Sequence, residues 1–342
     1  MIKKQTDQLV LIDLMGLQSH ANYVTSLYQA YQSNISKIYA TKEAIDWNVV
    51  DKHCSNKKLY LNTINFNWVI SSLKIFLQLI SKKNYLLISG CTTYWHLVIL
   101  ILSTPKKVNI IIHNEFLKIA QMNSLGSKIL KLIFKLYSFR GFKLAVMSAV
   151  MRDNVIKKKL YKTNLLYVIT HPLPKTDSKI KFSKNGSVNL LGFLRSQKLH
   201  GANEFLLNAK VNQNAFIRIF GKCINSSDIN FLKPLCDEFQ VKKSDYSSED
   251  EREFLCAHPC YSIVFFPNKK YDLLTSGSLI DAVRIGCYCI MPKPSKMAQE
   301  LIGPLIIKDL VNRNEDPKLI INSMIKERKK LNYLQIDRMI SS

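Results

Sequence analysis

Hydrophobic and polar residues follow two periods along the chain, and these two periods alternate. Short apolar runs are typical of buried strands, and the first of them covers residues 8–13. Between such runs, apolar residues recur every three or four positions, as in residues 22–32, which is the spacing of an amphipathic helix. Further strand-like runs lie at residues 35–40, 58–61, 85–90, 108–113, 144–148 and 165–169. Strands that alternate with helices predict a parallel sheet covered on both faces.

A segment with two prolines, residues 170–177, separates this alternation from a second one. Pro172 and Pro174 disfavour a helix there, which is typical of a linker. Further strand-like runs lie at residues 188–192, 216–220, 261–266, 287–291 and 305–307, and helical patterns at 201–209, 228–239, 248–256 and 278–285. We therefore expect an α/β protein with one domain over residues 1–172 and another over 173–322. A C-terminal helix, residues 323–342, is expected to pack back on the first domain.

The most informative helix of the second domain is predicted at residues 278–285. Leu279, Ile280 and Val283 recur at helical spacing, and Gly286 is a stop signal at the C-terminal end. The first N–H groups of a helix have no partner within it, so a start with little side-chain bulk suits a diphosphate. Four small residues form this start: Thr275, Ser276, Gly277 and Ser278.

Asp281 stands three residues after Ser278, about one helical turn into this anion site. A carboxylate repels phosphate, but it accepts hydrogen bonds from ribose hydroxyls. The alternative is structural: Ser278 caps the helix, and Asp281 interacts favourably with the helix dipole. These residues alone leave both interpretations open.

Two cations follow the first strand of the second domain. Arg195 and Lys198 are three residues apart, and ligands of open parallel sheets bind beyond the carboxyl ends of the strands. Arg offers a planar fork and Lys a compact charge, so both can reach one phosphate cluster. The alternative is a pair of ordinary solvated cations.

Together these motifs resemble the nucleotide-sugar domain of group 1 (family 4-like) glycosyltransferases with the GT-B fold, of the bacterial surface-polysaccharide type. The matching motifs are Gly-Phe-Leu-Arg-x-x-Lys from residue 192, Ile-Phe-Gly-Lys from 219, Phe-Phe-Pro from 265 and Thr-Ser-Gly-Ser-x-x-Asp-Ala-x-x-x-Gly from 275. The first half is similar to the matching acceptor domain, with an Ala-Val-Met-Ser strand and a Thr-His-Pro-Leu-Pro linker. The resemblance covers nearly the whole chain and implies two Rossmann-like domains facing each other across a cleft.

The resemblance also implies an activity, the transfer of a sugar from a nucleotide-diphosphate sugar to a hydroxyl of a glycan acceptor. The acceptor is expected to be lipid-linked, as in the synthesis of O-antigen, capsule or exopolysaccharide. In this scheme Arg195 and Lys198 neutralise the diphosphate, and residues 275–278 bind it through backbone N–H groups. Asp281 takes the place of the family's ribose-binding glutamate.

Two further residues are assigned to the nucleotide-sugar site: Gly221, and Tyr246 near the nucleotide base. The sequence departs from the family at Leu273, where a first glutamate often holds the donor sugar. That departure leaves the donor sugar, and the choice between retention and inversion, unassigned. The sequence contains no Asp-x-Asp, and we expect no metal and no other cofactor, because cations and a helix start can neutralise the leaving group.

A base that deprotonates the acceptor hydroxyl is expected in a loop of the first domain. His113 and Glu115 lie at the carboxyl end of the strand-like run 108–113, and His20 lies in the loop after the first strand. The alternative for each residue is a purely structural hydrogen bond.

The net charge also bears on the binding partners. The chain has 49 Lys and Arg and 25 Asp and Glu, which gives a formal charge of +24. Such an excess implies an anionic partner. The cations are spread widely and show no interleaving with aromatic residues, so we expect no nucleic acid. A nucleic-acid-binding protein remains one alternative, and a non-catalytic glycosyltransferase-like subunit, suggested by Leu273, remains another.

Several sequence features favour the cytosol as the location. No apolar segment reaches the roughly 18 residues that would span a bilayer, and the first residues leave no room for a signal peptide. The eight cysteines contain no Cys-x-x-Cys pair, which is typical of a reduced compartment.

Residues 116–152 contain seven Lys and Arg and no acid. Within them, residues 127–137 have a helical pattern in which Lys128, Lys131 and Lys135 share one side. The predicted apolar face consists of Ile129, Leu132, Ile133 and Leu136. Such a helix predicts peripheral binding to an anionic membrane surface, on the inner face of the cell membrane. The alternative is that the apolar face packs on the sheet.

Overall fold

The computed structural model describes residues 8–14, 21–32, 35–40, 45, 58–60, 84–91, 94–113, 115–121, 124–193, 205–211, 213–223, 230, 232–244, 246–264, 277–308, 310 and 315–341. These residues form two compact domains. The first comprises the described parts of Met1–Pro172 and Glu327–Ser342, and the second those of Leu173–Tyr271 and Ser276–Lys326.

The first domain contains a seven-stranded sheet in which every pair of neighbours is parallel. Its strands are β1 (Gln8–Leu14), β2 (Ile35–Ala40), β3 (Lys58–Tyr60), β4 (Asn84–Cys91), β5 (Val108–Ile112), β6 (Lys143–Val146) and β7 (Leu166–Val168). The spatial order is β3-β2-β1-β4-β5-β6-β7. The order reverses between β1 and β4, which makes a doubly wound, Rossmann-like sheet with a switch point there.

The described residues of this domain form five helices before the second domain begins. They are α1 (Ala21–Tyr31), α2 (Tyr94–Ile101), α3 (Glu115–Gln121), α4 (Leu125–Arg140) and α5 (Ala149–Lys157). The side chains of Ser124 and Ser148 accept the backbone N–H groups of Ser127 and Met151 and thereby cap α4 and α5. Gly141, with φ of 82°, ends α4.

The second domain repeats the topology with six parallel strands in the order β10-β9-β8-β11-β12-β13. The strands are β8 (Phe182–Phe193), β9 (Ile217–Lys222), β10 (Glu238–Lys242), β11 (Cys260–Val264), β12 (Tyr288–Ile290) and β13 (Ile306–Ile307). The helices are α6 (Ser248–Ala257), α7 (Gly277–Ile285), α8 (Lys296–Ile302) and α9 (Pro317–Ser341), and residues 205–211 are also helical. The switch point lies between β8 and β11.

The last helix, α9, contributes residues to both domains. Within the first domain, Arg328 and Asn332 donate side-chain hydrogen bonds to the carbonyls of His171 and Thr170, at 3.0 and 2.7 Å. Lys143 donates to the carbonyl of Met339 at 2.8 Å. The end of the helix is therefore fixed to the first domain by polar contacts.

One predicted helix, residues 228–239, is wrong. The described part of that segment holds a short 3-10 turn at Lys233–Leu235, followed by β10, the edge strand that pairs with β9. Pro234 lacks the N–H that a continuing α-helix needs, which is the physical reason for the break.

Candidate functional site

The carboxyl edge of each sheet is where an open α/β domain binds its ligands. In the first domain that edge is occupied by polar side chains that contact one another. Asp13 is the penultimate residue of β1 and Ser89 lies in β4, on the two sides of the switch point, and both are fully buried. The Ser89 hydroxyl donates to Asp13 Oδ1 at 2.9 Å.

His113 follows β5 at the same edge and is fixed by Ser89. Its Nε2 bonds to the backbone carbonyl of Ser89, and a carbonyl can only accept. The ring therefore carries its proton on Nε2, and in the neutral ring the lone pair is on Nδ1. Ser89 thus links Asp13 to His113, through its hydroxyl on one side and its backbone carbonyl on the other.

Glu115 plays a different part from His113. Its carboxylate Oε2 accepts the backbone N–H of His113 at 2.9 Å, and the residue is buried at the first turn of α3. This bond fixes the loop that carries His113. The predicted candidates His113 and Glu115 are therefore in direct contact.

Tyr23 of α1 completes this cluster. Its ring makes edge contacts with His113, at 4.8 Å between centroids, and with His171, at 4.9 Å. Burial, with smaller contributions from Tyr31 and Asp13, raises the pKa of Tyr23, so its phenol stays neutral. His171 in turn is bonded through Nδ1 to the carbonyl of Pro172 at 2.7 Å.

The corresponding edge of the second domain is built from backbone. Gly192 of β8 and Gly221 of β9 are register partners, with φ of 92° and 153°. A Cβ on Gly221 would overlap the carbonyl of Gly192, so the two strands approach more closely there than side chains allow. The edge at this point is bare peptide, which a phosphate group can approach.

The predicted helix at this edge is confirmed as α7, which begins at Gly277 and ends at Ile285. Leu279, Ile280 and Val283 are buried in the core, as the apolar spacing predicts. Gly286 has φ of 78° and ends the helix. The helix follows β11, so topology places its N–H end at the carboxyl edge of the sheet.

Tyr246 lies near the Gly192–Gly221 pair. Its ring packs on Phe220, the residue before Gly221, with 4.3 Å between centroids, and its hydroxyl donates to the carbonyl of Gln240 at 3.0 Å. The Nζ of Lys242 lies 3.9 Å from the ring centroid. The following Ser247 and Asp250 form a capping box at the start of α6 by reciprocal hydrogen bonds.

Several predicted site residues lie outside the described residues: His20, Arg195, Lys198, Thr275 and Ser276. For Ser278 and Asp281 the structure describes the helix backbone only. Of the predicted residues that it describes in full, His113 and Glu115 come together in the first domain and Gly221 and Tyr246 in the second.

Sequence reasoning missed Ser89, Tyr23 and His171. The signal for Ser89 lies in topology, because the first and fourth strands of a doubly wound sheet are neighbours. That rule brings Asp13 to a serine 76 residues later in the chain.

The described part of the chain contains no group of three or more His, Cys, Asp and Glu side chains that could hold a metal ion. Among the described helices, none has the length and apolar content needed to cross a bilayer.

No protein-family model matches the chain, and no curated protein matches it. Its fold is nevertheless shared with solved structures. A putative UDP-N-acetylglucosamine 2-epimerase from Listeria monocytogenes is similar with a TM-score of 0.50 and 9% identity, over 95% of this chain and 91% of that one. The structure of accessory secretory proteins 1, 2 and 3 of Streptococcus pneumoniae is similar with a TM-score of 0.50 and 10% identity, over 80% of this chain and 57% of that one.

A glycosyltransferase from Rickettsia africae ESF-5 gives a TM-score of 0.47 and 12% identity, over 98% of this chain and 93% of that one. At these identities the likeness concerns fold alone. The two matches with a TM-score of 0.50, together with the two sheet topologies, confirm the predicted GT-B fold of two Rossmann-like domains.

Proposed function

We propose that the protein is a glycosyltransferase that moves a sugar, a hexose or a related one, from a nucleotide-diphosphate sugar to a hydroxyl of a glycan acceptor. One observation carries the proposal. At the carboxyl edge of the second sheet, α7 begins at Gly277, and the same edge contains the close backbone pair Gly192–Gly221. A helix start and a glycine pair at the same edge of a sheet are an arrangement that suits a diphosphate.

The roles in donor binding follow from this placement. Arg195 and Lys198 continue from β8 and neutralise the diphosphate, while residues 275–278 supply N–H groups. Asp281 accepts hydrogen bonds from the ribose, and Tyr246 contacts the base. The leaving diphosphate is stabilised without a metal, by these cations and by the helix start.

The first domain supplies the acceptor side and the base. Nδ1 of His113 takes the proton of the acceptor hydroxyl, because its Nε2 is committed to the Ser89 carbonyl. The hydroxyl oxygen then forms the bond to the anomeric carbon of the donor. The bond between that carbon and the diphosphate breaks, and its electron pair leaves with the phosphate oxygen.

We assign the reaction to bacterial surface-polysaccharide assembly, with a lipid-linked acceptor, at the inner face of the cell membrane. Two observations support this setting: the sequence resemblance and the basic character of residues 116–152. An anionic membrane surface attracts such a segment at about 1 kcal/mol for each Lys or Arg near it.

A panel of nucleotide-diphosphate sugars tests the proposal by thermal stabilisation and then by transfer of labelled sugar to glycan acceptors. Stabilisation by one nucleotide class, followed by transfer, is expected. Binding without turnover would identify a non-catalytic subunit. Stabilisation by oligonucleotides alone would identify a nucleic-acid-binding protein. Interconversion of a UDP-linked sugar without transfer would place the chain with the epimerase activity named for the Listeria structure.

A further inference from the structure

A cavity of about 430 Å³ lies in the first domain, where α4 and α5 end. Both helices lead into strands, α4 into β6 and α5 towards β7, so they end at the amino edge of the sheet. His113 follows β5 at the opposite, carboxyl edge. The cavity is therefore separate from the groups proposed to act on the acceptor.

The inner wall of the cavity is apolar. It includes Ile156, Leu160 and Tyr161. Tyr161 is buried, donates its hydroxyl to the carbonyl of Phe142 at 2.7 Å and makes an edge contact with the ring of Phe134. This wall offers a fixed apolar surface to the non-polar part of a ligand.

The rest of the lining is cationic and hydroxylic. Lys135, Lys159 and Lys162 line the cavity together with Ser138 and Thr163. Within the described part of the chain, none of these three ammonium groups pairs with a carboxylate. Lysine ammonium and hydroxyl groups are donors for phosphate oxygens.

Acidic residues are almost absent from this region of the chain. Residues 116–176 contain twelve Lys and Arg and a single acid, Asp153. Asp153 is itself bonded to Arg152 at 3.3 Å. The surface around the cavity thus has a strongly positive potential that favours an anionic partner.

The exposed face of α4 is continuous with the cavity, because Lys135 and Phe139 belong to both. The apolar side of the helix is wider than the face predicted from the sequence, and the domain covers only part of it. Leu130, Ile133, Phe134 and Tyr137 are buried against the domain. The exposed apolar residues, three or four positions apart, are Leu125, Ile129, Leu132, Leu136 and Phe139.

We propose that this cavity binds the phosphate of an anionic phospholipid headgroup while the exposed apolar face of α4 enters the lipid interface. The inference rests on the proposed membrane association and names the surface and the ligand class. Phe139 is 84% exposed and Leu125 75% exposed, and both gain by burial in lipid. The backbone of a nucleic acid offers no such apolar environment, so charge and apolarity together select a bilayer.

A matched pair of double variants tests the cavity. Lys159→Gln with Lys162→Gln removes two cavity charges, and Lys157→Gln with Lys158→Gln removes two neighbouring exposed charges that do not line the cavity. The control pair also corrects for the favourable interaction of lysines with the end of α5. Vesicle co-sedimentation compares phosphatidylcholine with and without phosphatidylglycerol, after thermal melting has shown that both variants fold.

A headgroup site predicts that the cavity pair loses at least about fivefold more affinity for anionic vesicles than the control pair. General electrostatic attraction acts at about the same strength on every exposed lysine, so it predicts equal losses. Equal losses in the two pairs would overturn the proposal.

Two further variants separate lipid from soluble phosphate and from sugar transfer. Leu132→Ser, on the exposed face but outside the cavity, should weaken vesicle binding several-fold. Unchanged vesicle binding by Leu132→Ser, together with cavity-dependent binding of glycerol phosphate, would identify a soluble ligand and overturn the lipid assignment. Gly277→Val should lose donor binding and keep vesicle binding, whereas the cavity pair should transfer sugar to a soluble acceptor at the wild-type rate. The two proposals can thus fail independently.

Discussion

The two domains have the same doubly wound topology, yet their carboxyl edges differ: polar side chains occupy one, and a pair of glycines lies at the other. In the first domain Ser89 connects two side chains at the edge: its hydroxyl donates to Asp13, and its backbone carbonyl accepts from the ring of His113. In the second domain the edge is formed by glycines, and Gly221 excludes any side chain by its contact with Gly192.

In the proposed reaction this difference corresponds to two kinds of chemistry. A proton acceptor must be held in one tautomer and one orientation, which requires fixed hydrogen-bond partners. A diphosphate needs N–H groups and free space, which only backbone without bulk provides. One fold can therefore divide a transfer reaction between an edge that handles protons and an edge that binds the leaving group.

The largest effect is expected from the proton-handling edge. His113→Gln retains an N–H that can donate to the Ser89 carbonyl but has no basic nitrogen. We expect the transfer rate to fall by about 100- to 10,000-fold, the usual range for loss of a general base. Steady-state turnover measures the fall, and calorimetry should give an unchanged affinity for the nucleoside diphosphate.

Glu115→Gln is the matched control for this edge. The amide oxygen of a glutamine can still accept the His113 N–H, so we expect turnover to fall by no more than about tenfold. A larger loss for Glu115→Gln than for His113→Gln would reverse the two roles.

The backbone edge can be broken by a single methyl group. Gly221→Ala places a Cβ against the Gly192 carbonyl at a φ of 153°, and we expect a loss of about 3 kcal/mol in the free energy of unfolding. Urea unfolding followed by circular dichroism measures the change. Gly303→Ala is the control, since nothing lies within 4 Å of its Cβ position, and it should change stability by less than about 1 kcal/mol. Equal stabilities of the two variants would show that the close approach is not required.

The backbone edge was the easier of the two to predict from the sequence. The features of its helix α7 are local in the sequence. Leu279, Ile280 and Val283 define the buried face of the helix, and Gly286 ends the helix within the same short segment. The hydrogen-bonded contacts of Asp13, Ser89 and His113 in the first domain were not predictable in this way. Ser89 and Asp13 are 76 residues apart, and their meeting depends on strand order.

The same limit applies to α4, whose position was predicted and whose burial was not. Apolar residues cover more than half of the circumference of this helix, so periodicity alone does not choose which part the domain covers. Packing buries Ile133 with Leu130 and leaves Ile129 and Leu132 exposed. A sequence pattern defines a helix more readily than it defines the neighbour of each face.

An intermediate effect is expected for a cation that continues from the backbone edge. Arg195→Ala should weaken binding of the nucleoside diphosphate by about 1.5–3 kcal/mol, or about 10- to 150-fold, through loss of a charge-assisted contact. Calorimetry measures the affinity. Arg252→Ala is the control for net charge, because Arg252 is bonded to Glu249 within α6. Equal affinities of the Arg195 variant and the wild type would remove Arg195 from the phosphate site.

The smallest effect distinguishes a ribose ligand from a helix-capping acid. Asp281→Asn keeps an acceptor oxygen and removes the negative charge, so we expect the nucleoside diphosphate to bind about two- to tenfold more weakly. Inorganic diphosphate has no ribose and is repelled by the carboxylate, so it should bind the variant equally well or more tightly. Calorimetry measures how the substitution changes the affinity for each of the two ligands, and the conclusion depends on the difference between these two changes. If both ligands lose the same affinity, Asp281 acts on the helix start and not on the ribose, and the binding role of this edge would then rest on its backbone and cations alone.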